Sequence, residues 1–278
     1  MTIIHPTAIV DTSANLSDSV EIGAFSIIEA NVEIGPGTVI RPHAVIRQYT
    51  VMGQGNFVDS FAVLGGLPQD FKFIPSTVSY LRIGDNNTFR EGVTISRATT
   101  EGKATTVGNN TFWMTNSHCG HDSTVQDEAV IVNGSLVAGH CTIGRRSILP
   151  ANGAIHQFCW IGEGVMFQAA AKIGMHVPPY VICTRDNNVL SLNSIGLRRR
   201  TDISINDRKQ IKEAFHITYL SNLPLKLALA EMDSHEEWGK AAGRFREFVR
   251  QVLKAKKPFN RGLCPRSSRI NLRRNKVE

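Results

Sequence analysis

Aromatic residues are scarce in this sequence, at 7% of the chain, and cysteine occurs only five times. Few aromatics beside 23 glycines and much isoleucine and valine suggest β architecture with many tight corners. The five cysteines lack paired spacing, which argues against a disulfide framework and for a reducing, cytoplasmic setting. No apolar run approaches the roughly 18 residues of a membrane span. The opening Met1-Thr2-Ile3-Ile4-His5-Pro6 lacks the basic region and apolar core of a secretion signal. Apolar residues still make up 42% of 278, which excludes a wholly disordered chain and leaves room for one large domain or two modest ones. The formal charge is +7, yet the stretch from Lys254 onward alone carries +8, so residues 1–253 sum to −1. A basic excess confined to one end reads as a solvated terminus, or as an arm that steers an acidic partner. It need not signal DNA or RNA.

A period of six organises most of what remains. From Ile4, every sixth residue through Leu64 is apolar, and so is every sixth from Val107 through Ile173. A shorter piece, Ile83, Phe89 and Ile95, sits between the two runs. The residue two places before the large apolar one is nearly always small, as at Thr105, Thr111, Ser117 and Ser123, and glycine often follows the large residue, as at Gly23, Gly35, Gly144 and Gly162. Residues two apart on a strand share a face, so both kinds point inward. Each hexapeptide then supplies one short strand and one corner, and three close a triangular coil in which positions three hexapeptides apart stack. This resembles the repeat of hexapeptide proteins, whose coil winds left-handed. The expected fold is mainly β: a left-handed parallel β-helix of hexapeptide repeats followed by a C-terminal α-helical domain.

Residues 65–80 and 96–104 break the period and are expected to bulge from one face. After Ile173 the repeat stops, with Pro178-Pro179 closing it. From about residue 204 the spacing becomes helical: Ile205, Ile211, Phe215, Ile217 and Leu220 lie roughly along one face, with Ser204 or Asn206 as cap. Two further helices are expected over 223–232 and 238–253. The organisation reads as a β-helix domain over 1–182, a linker over 183–203, a helical domain over 204–263 and a basic tail over 264–278.

Polar residues interrupt the repeat most densely at Asn116-Ser117-His118-Cys119-Gly120-His121-Asp122, then at His140 and at His156-Gln157. Asp122 and His140 are three hexapeptides apart and therefore stack. Four of the nine histidines thus gather on adjacent coils. Two chemistries suit such a cluster. A histidine held by a carboxylate can act as a general base toward a sugar hydroxyl. Three imidazoles can instead bind zinc, as in β-helix carbonic anhydrases. A non-catalytic hexapeptide scaffold is a third reading.

Several stretches resemble the acyl-[acyl-carrier-protein]–UDP-N-acetylglucosamine O-acyltransferases, which begin lipid A synthesis. They are Asn116 to Asp122, Leu136-Val137-Ala138-Gly139-His140, Ala154-Ile155-His156-Gln157-Phe158, Val177-Pro178-Pro179-Tyr180-Val181-Ile182 and Gly196-Leu197-Arg198-Arg199-Arg200. His5-Pro6-Thr7-Ala8-Ile9-Val10, Gln69-Asp70-Phe71-Lys72 and Arg261-Gly262-Leu263 agree as well, so the resemblance spans about 3–263. It implies a cytoplasmic homotrimer, with sites between adjacent β-helices, acyl carrier protein and UDP-N-acetylglucosamine as partners, and neither metal nor other cofactor. By the same resemblance His121 is the general base, Asp122 its orienter and the Gly139 amide the oxyanion donor. Asp70, Lys72, His118, His140, His156 and Gln157 are implied to contact sugar, phosphate and acyl chain, and Asn193 and Arg199 the nucleotide. Three positions depart from the family's usual pattern. Ile195 replaces a glutamate near the nucleoside, which leaves a 3-amino or other nucleotide-sugar acceptor open. His176 replaces an aspartate before Val-Pro-Pro. Ala169 replaces a glycine at the end of the acyl groove, where its methyl is expected to shorten the accepted chain.

Overall fold

Two-residue strands pair in parallel across successive coils: Ile3 with Glu21 and Ile4 with Ile22, then Glu21 with Val39 and Ile22 with Ile40. That register repeats from coil to coil. A computed structural model describes residues 1–235 and 237–266; the rest of the expected basic tail lies outside the described residues. The coils stack three parallel sheets of seven, nine and eight strands into the left-handed prism, each turn rising one inter-strand spacing of about 4.8 Å. The two inward rows behave as their sizes require. Val125, Ile131, Val137 and Ile143 are buried on the axis, and Thr105, Ser117, Ser123 and Ser135 are buried at the crowded corners. The first coil has a neighbour on one side only, so Ile4 remains 45% exposed despite its place in the repeat.

At most corners, three residues after the large apolar one, the backbone turns through the left-handed region. Asn31, His43, Phe61, Asn116, Asp122, His140 and Phe158 all have φ between 56 and 65°. Asparagine and aspartate tolerate this conformation, whereas phenylalanine and histidine adopt it at a cost of about 1 kcal/mol. Some recover it by stacking on the next coil: Phe25, His43 and Phe61 form an exposed ladder with ring centroids 5.2 Å apart.

The two interruptions lengthen two coils. Phe57 pairs with Val39 on one side, but on the other with Thr88, where an unbroken repeat would offer Pro75. Thr94 pairs with His118 in place of Phe112, so that coil holds one extra hexapeptide. Beyond Ile173 the path departs from the repeat. Residues 183–203, read as a linker, hold an antiparallel strand at Val189–Leu192 and helix α1 (Ser194–Arg199). Three helices follow, α2 (Ile205–Tyr219), α3 (Leu225–Ser234) and α4 (Lys240–Lys254). Ser204 caps α2 in a reciprocal pair with Asp207. Ile211, Phe215 and Ile217 are buried, but Ile205 and Leu220 are exposed. At 100° per residue the buried Ile211, Ala214, Phe215 and Ile217 span an arc of about 160°, and Ile205 and Leu220 fall outside it. The chain then returns to the prism, where Leu263 bridges to His176 and Arg266 to Val189.

A chain of ion pairs fixes this end. Glu128 pairs with Arg146, Arg146 with Asp202, Asp202 with Arg200, and Arg200 with the buried Glu163, which also meets Arg244 of α4. Glu163 is 7% exposed and has two cationic partners, so its charge is compensated where an unpaired one would be costly.

Candidate active site

The extra hexapeptide at 96–104 builds the centre of the site. It brings Thr99 onto Asp122, which accepts from the Thr99 amide at 3.2 Å and the Thr99 hydroxyl at 2.7 Å. Asp122 in turn accepts from His121 Nδ1 at 2.8 Å. Its own backbone N–H is held by the Thr105 hydroxyl at 2.8 Å. Burial pushes the Asp122 carboxyl up, but the hydrogen bonds from His121 and Thr99 outweigh it and hold the group below its ordinary value. An ionised carboxylate on Nδ1 keeps the proton there and leaves Nε2 as the basic nitrogen. Nε2 of His121 has no hydrogen-bond partner among the described residues and faces the next coil at Gly139. The Gly139 N–H likewise has no acceptor among the described residues.

Two more histidines flank this pair. His140 meets His121 edge-on, with centroids 5.1 Å apart, and lies 3.7 Å from Asp122. Its pKa is lowered, first by burial and then by His121, against the pull of Asp122 and Asp70. His118 Nδ1 lies 2.7 Å from the Thr94 hydroxyl, and burial is the main cause of its lowered pKa. Both imidazoles are thereby favoured in the neutral form. Ligand atoms of His121, Asp122 and His140 lie within 4.8 Å of one another. That cluster offers two imidazoles and one carboxylate, and neither His118 nor His156 belongs to it. Among the described residues, the three-imidazole set of the zinc reading is therefore not assembled within this chain.

A groove of about 940 Å³ runs along the outer face of the His118 sheet. Gln69, His118 and His121 stand at one end, Gly139, His156 and Gln157 at the middle, and Lys172, Asp186 and Asn187 at the other. Leu136 and Ala154 give it an apolar floor between the polar ends. Asp70 sits in a tight turn, where it accepts from the Lys72 amide at 2.8 Å, and both side chains are exposed. Its charge acts on His140, which sets that turn near the His121–Asp122 pair.

Three of the sequence candidates fall elsewhere. Asn193 caps α1, accepting from Gly196 N–H at 3.0 Å and donating to Gly164 O at 3.1 Å. Gly164 stacks above Arg146 and Glu128, a different prism edge from that of Asp122 and His140. Arg199 is exposed on the same helix. Ala169 is exposed beside the corner residue Ala170 and does not line the groove. The spacing missed Thr99, Lys172 and Asp186. Thr99 is 23 residues from Asp122, and only the longer coil makes that separation a contact. Lys172 had a signal, because it stacks on Ala154 in the same outward row, one coil further on.

The five cysteines are buried as free thiols, and burial pushes Cys141 up to about 12 and Cys159 to about 11. Those two therefore supply no thiolate at neutral pH. No helix among the described residues is long and apolar enough to cross a membrane.

Comparison with known proteins fits this geometry. Residues 13–48 match the bacterial transferase hexapeptide family, and residues 176–264 match domain 2 of UDP N-acetylglucosamine O-acyltransferase. The acyl-[acyl-carrier-protein]–UDP-N-acetylglucosamine O-acyltransferase of Syntrophobacter fumaroxidans is 40% identical over 81% of this chain and 88% of its own. That of Herminiimonas arsenicoxydans is 36% identical over 91% and 97%. The crystal structure of the UDP-N-acetylglucosamine O-acyltransferase from Moraxella catarrhalis superposes with a TM-score of 0.86 at 36% identity, covering 94% of this chain and 99% of that one. The acyltransferase of Francisella novicida gives 0.88 at 33% identity over 97% and 96%. Shared along nearly the whole coil and through the helices that follow it, this likeness makes the chain a member of the acyl-[acyl-carrier-protein]–UDP-N-acetylglucosamine O-acyltransferase family.

Proposed function

We propose that this enzyme transfers an acyl chain from acyl carrier protein to the 3-hydroxyl of UDP-N-acetylglucosamine, the opening step of lipid A synthesis. The observation that carries the reading is the His121–Asp122 pair, at 2.8 Å, beside the free Gly139 amide. His121 Nε2 takes the proton as the sugar oxygen attacks the thioester carbonyl. Asp122 stabilises the imidazolium that forms. The Gly139 N–H donates to the oxyanion of the tetrahedral intermediate. Collapse breaks the carbon–sulfur bond, and the imidazolium returns its proton to the departing thiolate. Asp70, Lys72, His118, His140, His156 and Gln157 hold the two substrates around these atoms, and the apolar floor at Leu136 and Ala154 takes acyl chain. The buried free thiols suit a reducing cytoplasm.

Mass spectrometry of the product tests the acceptor. With UDP-N-acetylglucosamine and its 3-amino analogue offered in turn, the ester of the hydroxyl sugar is the expected product. Exclusive formation of the amide would transfer the reading to the 3-amino sugar, for which the exposed Ile195 leaves room.

The site is completed by a second copy of the chain, within a homotrimer. Asn193 and Arg199 sit on a different prism edge from His121, so they serve the groove of a neighbouring subunit. Subunit mixing checks this. His121→Ala and Arg199→Ala, each impaired alone, are expected to regain part of the wild-type rate when co-assembled. A mixture no better than the mean of its parts would place both residues on one subunit's site.

A further inference from the structure

One sequence motif has no part in the chemistry above: Arg261-Gly262-Leu263, which follows the last helix. The structure brings it to the groove. Phe259 packs on Phe158 and Trp160, with centroids 5.4 and 5.5 Å away. Its carbonyl lies 2.6 Å from His176 Nε2. Gly262 then turns the chain at φ +74°, where a side chain would be strained, and its carbonyl accepts from the His176 amide at 2.8 Å. Leu263 bridges to His176. These contacts form a strap across the coils that carry the groove. They also account for His176, the departure from the aspartate pattern, as a structural tie.

The strap aims Arg261 inward. Its Nε donates to Gly174 O at 3.0 Å, and a terminal nitrogen lies 3.1 Å from His156 Nδ1. Gly174 and His156 both line the groove. A guanidinium nitrogen is always a donor, so His156 Nδ1 must be the acceptor. The Gln157 carbonyl, 3.2 Å from the same atom, would favour a proton on Nδ1, but that would set two donors face to face.

We infer that Arg261 is a positioning residue. It fixes His156 as the tautomer protonated on Nε2, so that this nitrogen donates to an oxygen of the sugar nucleotide in the groove. The inference rests on the reading of the groove given above.

Histidine labelled with nitrogen-15 tests it, the His156 signal being identified by its loss in His156→Gln. The expected wild-type spectrum has an unprotonated Nδ1 and a protonated Nε2, and Arg261→Gln should mix the two tautomers. The KM for UDP-N-acetylglucosamine should rise about two- to tenfold, as the competent tautomer falls from nearly all to between about a half and a tenth, with kcat nearly unchanged. Arg261→Lys keeps the charge but cannot span both partners, and should behave like the glutamine variant. In a His156→Gln background, Arg261→Gln should cost nothing further. An unchanged tautomer, additive losses in the double variant, or full rescue by lysine would each overturn the proposal. Mixed tautomers with an unmoved KM would leave the coupling standing but remove His156 from substrate contact, so failure of the underlying reading shows separately.

Discussion

Replacing His121 by alanine is expected to lower acyl transfer by about 10²–10⁴-fold, the usual contribution of a positioned general base. On the proposed mechanism the loss falls on the chemical step, because His121 is there the group that takes and returns the proton. The surroundings should survive it. Asp122 keeps its two bonds from Thr99, and its backbone stays tied to Thr105. His140 remains 3.7 Å away. A transfer assay and a sedimentation measurement on the same sample check both halves. A rate within about tenfold of wild type would reject His121 as the base.

Gly139→Ala should cost about as much through a different route. A β-carbon on residue 139 would sit 2.7 Å from His121 Cε1 and 2.9 Å from Nε2, closer than real contacts allow. The imidazole is only 12% exposed and is held at Nδ1, so it can yield only by breaking the Asp122 hydrogen bond. The backbone N–H of residue 139 is retained in the variant, so the proposed oxyanion donor is not what is lost. A fall of at least about 100-fold in kcat with the melting temperature nearly unchanged is the expected result. An alanine variant of ordinary activity would mean that the ring does not need this position.

The legible part of the fold is the part written in repeated spacing. The inward rows, the stacking of one coil on the next and the place of both interruptions follow from side-chain size and a period of six. The stacking of Asp122 under His140 was readable for the same reason. What escaped depends on contacts that no fixed period describes. Thr99 reaches Asp122 only because one coil is a hexapeptide longer. Asn193 is drawn into capping α1, a local bond that its place in a family motif does not reveal. Ile205 carries helical spacing but lies past the edge of the buried face. Phe25, Phe61 and Phe158 occupy left-handed corners for which local preference favours glycine or asparagine, and stacking across coils supports them there.

The strap that carries Arg261 also sets an order of assembly. Within the coil, each strand pairs with the third one after it, so closure is cheap and each turn can template the next. The contact between Arg261 and His156 spans 105 residues, and that with Gly174 spans 87. Both close long loops, whose entropy is offset only once the intervening helices bring the chain back to the prism. The far wall of the groove is therefore expected to assemble last, after the coils that hold His121 and Asp122, and hydrogen exchange during refolding would show it.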